Sequence, residues 1–349
     1  MKKLNSIFWA FAVSSLFLIS CSSDDNNVPD VPLGAYDNGL FVVNEGNSTV
    51  TTASITFISN SGQVEQDVFR TVNPTAIGTG TYLQSLFFDD TRAFIISGDA
   101  NKITVVDRYT FKFIATIDTD FDSPRYGVVF NGKAYVTNAV DFTPGGNNNF
   151  VTVIDLSNYS TSKVALNRTA EKITAENGKI YISNGYYGVG TTVSVFNPVN
   201  NTIDKVIELG YVPDSFEEDN GVLYVLGSKI AKINLTTNEM IGAPVALPAV
   251  QNDAKNLNIE GGKMYYTVDT SVYAMSENAT TAPTTALFSY VSNSDFGAMY
   301  GFAVNGDRIY IADGGDFSSD SKIFTYTLTG TLDKTFNVGV GPNGFYFND

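Results

Sequence analysis

Asn177-Gly178-Lys179-Ile180-Tyr181-Ile182-Ser183-Asn184 decides the fold, because the chain keeps repeating it. Residues 131–138 read Asn-Gly-Lys-Ala-Tyr-Val-Thr-Asn, and 305–313 are a third copy with one residue inserted. Residues 220–227 and 261–269 follow the same plan, while 89–97 and 39–44 are degenerate copies. An Asn-Gly or Gly-Gly pair opens most copies and is the signal of a type I′ hairpin turn, whose two central residues both need positive φ. The strand behind it carries an aromatic at a fixed place: Phe41, Phe94, Tyr135, Tyr181, Tyr224, Tyr265 and Tyr310, spaced by 53, 41, 46, 43, 41 and 45 residues. A period of about 40–50 residues is one four-stranded propeller blade. Such regular spacing marks these aromatics as core.

In residues 169–209 strands are expected at 173–176, 179–184, 192–196 and 203–209. Val, Ile, Phe and Tyr on both faces suit a blade sandwiched between neighbours. No segment has a convincing amphipathic helical pattern. Seven copies predict an all-β chain, a seven-bladed propeller of four-stranded antiparallel blades. The ends predict its closure. Residues 342–347 read as a first strand with no repeat after it, and 39–44 as a second strand with no first strand before it. Paired, they complete one blade from both termini and leave no open edge.

The connections sort onto two faces. First-to-second turns are short and stereotyped, at 131–132, 177–178, 220–221, 261–262 and 305–306. Second-to-third loops at 45–52, 141–149, 186–190 and 313–320 are long and irregular, and blade links at 70–81 and 248–255 join them at the other end. Insertions are tolerated where function gathers, so the irregular face is the expected binding face. At its inner rim Arg125-Tyr126 and Met299-Tyr300 begin first strands, and Tyr186, Tyr187 and Phe317 sit on its loops. Asn44, Glu45, Asn47, Asn138 and Asp313, at second-strand ends or in adjoining loops, complete the candidate ligand-binding set. Tyr rings can stack on a flat ligand and hydrogen-bond its edges.

The net charge of −15 argues against nucleic acid as a partner. With no His at all, Ser-His-Asp triads and His-held metals are excluded. No catalytic residue and no cofactor are assigned. Asp313, Asp316 and Asp320 offer oxygen ligands for Ca²⁺ but lack the EF-hand spacing, and read first as a solvated loop. Lys2 and Lys3 before an apolar run from 7 to 19 form a signal-peptide pattern, too short for a membrane span. Cys21 is the only Cys, so no internal disulfide exists. Residues 22–33 are polar and Pro-marked and read as a tether. The division is therefore a signal peptide over 1–20, a tether over 21–36 and one propeller domain over 37–349.

Three resemblances add to this reading. Leu18-Ile19-Ser20-Cys21 resembles a bacterial lipobox, which implies acylation at Cys21 and an outer-membrane lipoprotein, and the acidic residues behind it resemble a Bacteroidota surface-export signal. The pattern Val105-Val106-Asp107, Val153-Ile154-Asp155 and Val195-Phe196-Asn197 resembles the YVTN or YncE-like propellers. Residues 41–47, Phe-Val-Val-Asn-Glu-Gly-Asn, with the closing Gly341-Pro-Asn-Gly-Phe-Tyr-Phe347, resemble the Bacteroidota surface propellers grouped as DUF5074. Some of those capture cobalamin above a TonB-dependent transporter. The resemblance implies a monomeric surface propeller that captures a nutrient, with cobalamin the leading candidate and the transporter its partner. A cell-surface scaffold or adhesin, and a His-free lyase or hydrolase using carboxylates or Tyr, are the alternatives.

Overall fold

The structure, a computed structural model, describes residues 32–49, 51–143 and 147–348. The expected signal peptide, Cys21 and most of the tether lie outside them. The propeller unit begins at Leu33. Tyr36 is buried against Phe41, Phe57 and Phe111 and donates its backbone N–H to Tyr109 O at 2.9 Å, so residue 36 packs as part of the propeller.

Seven antiparallel sheets follow one another. Blade 1 joins Pro342–Asn348 to Gly39–Asn44, then Ser54–Ser59 and Val64–Glu65. Its first two strands pair antiparallel from Gly39↔Asn348 to Asn44↔Pro342, which is the closure expected from the two chain ends. Blade 2 begins at Leu83–Phe88, blade 3 at Pro124–Phe130, blade 4 at Ile173–Glu176, blade 5 at Ser215–Asp219, blade 6 at Lys255–Glu260 and blade 7 at Gly301–Asn305. Blade 4 has the four expected strands, at Ile173–Glu176, Lys179–Ser183, Thr192–Asn197 and Thr202–Glu208.

Burial explains why the ring is stable. Strand side chains alternate between the two faces of a blade, and here each face meets another blade. Seven apolar clusters result, each bridging two neighbours. Phe41 and Val43 of blade 1 pack with Ala93 and Ile95 of blade 2. Around the ring, Leu40 and Val42 pack with Ala312 and Ile323 of blade 7 and close the circle. The repeated aromatics Phe41, Phe94, Tyr135, Tyr181, Tyr224 and Tyr265 are all buried, each against the following blade. Tyr310 is half-buried and packs on Phe345 and Phe347 of the closing strand, with ring centroids 5.8 and 5.1 Å away.

The turns obey the sequence with one shift. Asn131-Gly132, Asn177-Gly178, Asn220-Gly221 and Gly261-Gly262 all have positive φ at both residues. In blade 7 Asn305 pairs with Arg308, so the turn is Gly306-Asp307 rather than Asn305-Gly306, and only the glycine has positive φ. The inserted residue had to be absorbed there. On the opposite face, the blade links carry the only two helical turns among the described residues, Val68–Val72 and Ala249–Gln251.

Candidate functional site

First strands run inward from the irregular face, so their opening residues line the mouth of the ring. Arg125 opens blade 3 and forks onto Glu171, which precedes blade 4, with Nε–Oε2 and Nη2–Oε1 both 2.9 Å. It also donates to Gln84 of blade 2, whose Nε2 donates to the Tyr126 hydroxyl at 3.2 Å. Burial works against the Arg125 charge, but Glu171 more than offsets it and raises the guanidinium further. The fork geometry suits the carboxylate and fixes both side chains.

Aromatic rings cover this ion pair. The Arg125 guanidinium lies 4.6 Å from the Tyr186 ring centre. Tyr186, Tyr187 and Phe142 form one cluster, with centroids 4.1 to 5.8 Å apart. Tyr187 is 78% exposed although its backbone is left-handed, at φ 47°. That conformation costs a bulky residue about 1 kcal/mol or more and persists only where surroundings impose it. Here Tyr186 and Val189 exchange backbone hydrogen bonds of 2.9 Å around it, which leaves Tyr187 standing out at the mouth.

The far side of the mouth is built from blades 1 and 7. The Tyr300 hydroxyl donates to Glu45, and Phe317 meets the Tyr300 ring edge-on at 5.0 Å. Asn47 Nδ2 holds the Phe317 carbonyl at 2.9 Å. Burial raises the Glu45 carboxyl above its ordinary range, against the pull of Tyr300, Arg125 and Asn343. Tyr300 is pushed up by burial and by Glu45, and it feels Tyr187 and Tyr126 electrostatically. The two sides therefore face one another across the ring.

The structure thus brings Glu45, Arg125, Tyr126, Tyr186, Tyr187, Tyr300 and Phe317 together, with Asn47 holding one loop. It does not bring Asn44, Asn138 or Asp313 into the mouth. Asn44 is buried and donates to Ser54 and Thr56 Oγ atoms. Asn138 is buried on Thr152 and the Val136 carbonyl, and Asp313 holds the Asn293 and Gly315 amides. A residue ending a second strand points between blades, so these side chains fasten loops from within. Asp316 accepts from Ser318 and Ser319 instead of joining Asp313 and Asp320, and no acidic group suited to a metal converges among the described residues.

Below the mouth a channel of about 490 Å³ runs between the first strands, lined by Tyr126, Lys172, Glu217, Phe302 and Tyr346 among others. Burial pushes the Glu217 carboxyl up to about 7, with Lys172 pulling the other way. An acid raised by folding binds its proton more tightly in the native state. Glu217 therefore costs no stability near pH 4, and its cost grows as pH rises towards 7. Glu217→Gln should match the wild type in urea melts near pH 4.5 and exceed it by about 1–2 kcal/mol at pH 8. Equal stability at both pH values would contradict this environment for Glu217.

Residues 38–309 match the domain of unknown function DUF5074. The chain belongs to the DUF5074 family. Several solved propellers share its fold. A Quinonprotein alcohol dehydrogenase-like protein from Bacteroides thetaiotaomicron is 16% identical, with a TM-score of 0.64 over 90% of this chain and 79% of that one. A protein from Lactobacillus plantarum is 11% identical, with a TM-score of 0.64 over 90% of this chain and all (100%) of that one. BamB from Moraxella catarrhalis is 13% identical, with a TM-score of 0.54 over 88% and 85%. At such identities the likeness concerns fold alone. No curated protein matches. Gln84, Glu171, Lys172 and Glu217 of this DUF5074 propeller were not anticipated from sequence, although a signal existed for Glu171. Arg125, Glu171 and Tyr300 each lie six residues before the first residue of the 131–132, 177–178 and 305–306 motifs or of the glycine within them.

Proposed function

We propose that this DUF5074 propeller is a surface lipoprotein, anchored through Cys21, that captures a nutrient on its irregular face and passes it to an outer-membrane TonB-dependent transporter. The leading candidate ligand is a cobalamin-type corrinoid. The observation that carries the binding role is the mouth itself. Tyr187, Tyr186 and Phe142 form an aromatic wall, held open at a backbone cost, opposite Glu45 and Tyr300. Such a rim can stack on a broad flat ligand while Asn, Tyr and carboxylate groups meet its amide edges. A fixed Arg125–Glu171 pair beneath it reduces the ordering cost of binding. The corrinoid comes from the family resemblance. With no His in the chain, its recognition runs through the ligand's periphery and faces rather than an axial cobalt bond.

A second reading, a docking face for a protein, is favoured by a different observation. Ile77, Val250, Val291 and Phe296 on the blade links are 78% to 90% exposed, outside the polar mouth. Exposed apolar groups gathered on one face suit a protein contact.

Calorimetry of the purified protein with cyanocobalamin, haem and oligosaccharides separates these readings. Saturable heat with cyanocobalamin, weakened about tenfold or more by Tyr187→Ala, is the expected result. No heat with cyanocobalamin at tens of micromolar removes the corrinoid. Cys21→Ala should release the protein into soluble fractions, and wild-type protein on intact cells should be open to added protease. Retention of the Cys21→Ala protein in membranes would refute the anchor.

A further inference from the structure

The central channel holds two ionisable groups of opposite sign, Glu217 and Lys172, that form no ion pair with each other. Glu217 makes no hydrogen bond and no ion pair among the described side chains, yet lies among first strands in the middle of the ring. Lys172 lines the same channel from blade 4's side. Its amine rests 3.8 Å from the Tyr126 ring centre, with no carboxylate in ion-pair reach. Higher up, Asn343 spends its Nδ2 on the Leu83 carbonyl at 2.8 Å, and its Oδ1 is buried without a donor.

A buried charge without a partner is costly, and evolution normally pairs or deletes it. Water alone fills many polar cavities, but it does not neutralise two groups of opposite charge held apart in one channel. Glu217 calls for a donor of positive charge, and Lys172 for an acceptor of negative charge. Tyr126, Tyr346 and Phe302 supply apolar walls between them, of the kind that favours an organic cation over a metal ion. The volume of about 490 Å³ accommodates a molecule of amino-acid size and is too small for a macrocycle.

We propose that the channel is a second binding site, separate from the mouth, for a small zwitterion that carries an ammonium group and a carboxylate at opposite ends of a short carbon chain. The ammonium lies on Glu217, and the carboxylate accepts from Lys172 and the Tyr126 hydroxyl. The other titratable groups facing the pair are Glu171, held by Arg125, and Tyr346, which burial keeps protonated as a neutral wall. Because Glu217 titrates near neutrality, the ligand's ammonium holds it ionised. Affinity should then fall as pH drops below about 7.

The probes are 4-aminobutyrate and 5-aminovalerate, titrated into the purified protein with no mouth ligand present, with butylamine and butyrate as one-charge controls. The expected result is saturable heat with an ω-amino acid and at least about tenfold weaker binding of both controls. Glu217→Gln and Lys172→Met should each lower the affinity by about tenfold or more. Unchanged circular dichroism and melting temperature at pH 5 show that those variants fold. Absence of saturable heat at about 10 mM of either ω-amino acid overturns the site. So does binding that survives both substitutions, or controls that bind as tightly as the zwitterions. None of these outcomes depends on whether the mouth takes a corrinoid.

Discussion

Removing residues 340–349 should cost on the order of 5 kcal/mol, a large share of what holds a domain of this kind folded. The strand Pro342–Asn348 supplies the whole inner edge of blade 1 and pairs with Gly39–Asn44 along its length. Its loss strips Phe345 and Phe347 from Tyr310 and takes Tyr346 out of the channel wall. It also removes Asn348, which is fully buried, donates to the Tyr36 carbonyl at 2.7 Å and accepts from Arg108. What remains is an unpaired strand edge beside a half-open apolar seam, which promotes pairing with other chains. The expected observation is a broad or absent thermal transition, with concentration-dependent aggregation. A truncated protein that melts cooperatively within a degree or two of the full chain would show that blade 1 is not latched by its C-terminal strand.

Arg125→Ala should be the most damaging single substitution at the mouth, at about 3–5 kcal/mol. The Arg125 side chain is 15% exposed and Glu171 only 7%, so the variant leaves a desolvated carboxylate with its two 2.9 Å bonds gone. Gln84 and the Tyr186 ring lose their contact at the same time. A double-mutant cycle identifies the cause. Adding Glu171→Ala to Arg125→Ala should restore part of the loss, because the stranded charge disappears with its side chain. Urea melts of the four proteins at pH 7 make the measurement. Additive losses would mean that the pair does not act as a unit, and a cost below about 1 kcal/mol would mean that the mouth is wetter than its burial indicates.

How legible each part was in the sequence follows from what each part requires. The hairpins announced themselves because few residues tolerate two successive positive φ values, and Asn-Gly is the commonest solution. The latch was legible because a lone first strand and a lone second strand at opposite ends need each other. Tyr186, Tyr187, Tyr300 and Phe317 stood out as aromatics on irregular segments. Asn44, Asn138 and Asp313 do not reach the mouth because each still belongs to a second strand, both of whose faces meet neighbouring blades, and only the loops beyond them reach the rim. Lys172 and Glu217 were invisible for a different reason. Glu217 is an ordinary polar residue on a short strand and Lys172 one just ahead of another, and only the closing of the ring puts their side chains in a channel. Composition and spacing carry no record of that enclosure.

The latch also fixes where the chain enters the ring. Gly39 and Asn348 lie opposite each other at the hairpin end of blade 1, and Tyr36 is fastened to Tyr109 in a third-to-fourth turn at that same end. Chain from the N-terminal side thus enters the ring on the face opposite the mouth. A pull on the chain ahead of Leu33 therefore reaches the ring through its hairpin face, as a load on the Tyr36–Tyr109 contact and the closing strand, and leaves the loops of the mouth unloaded.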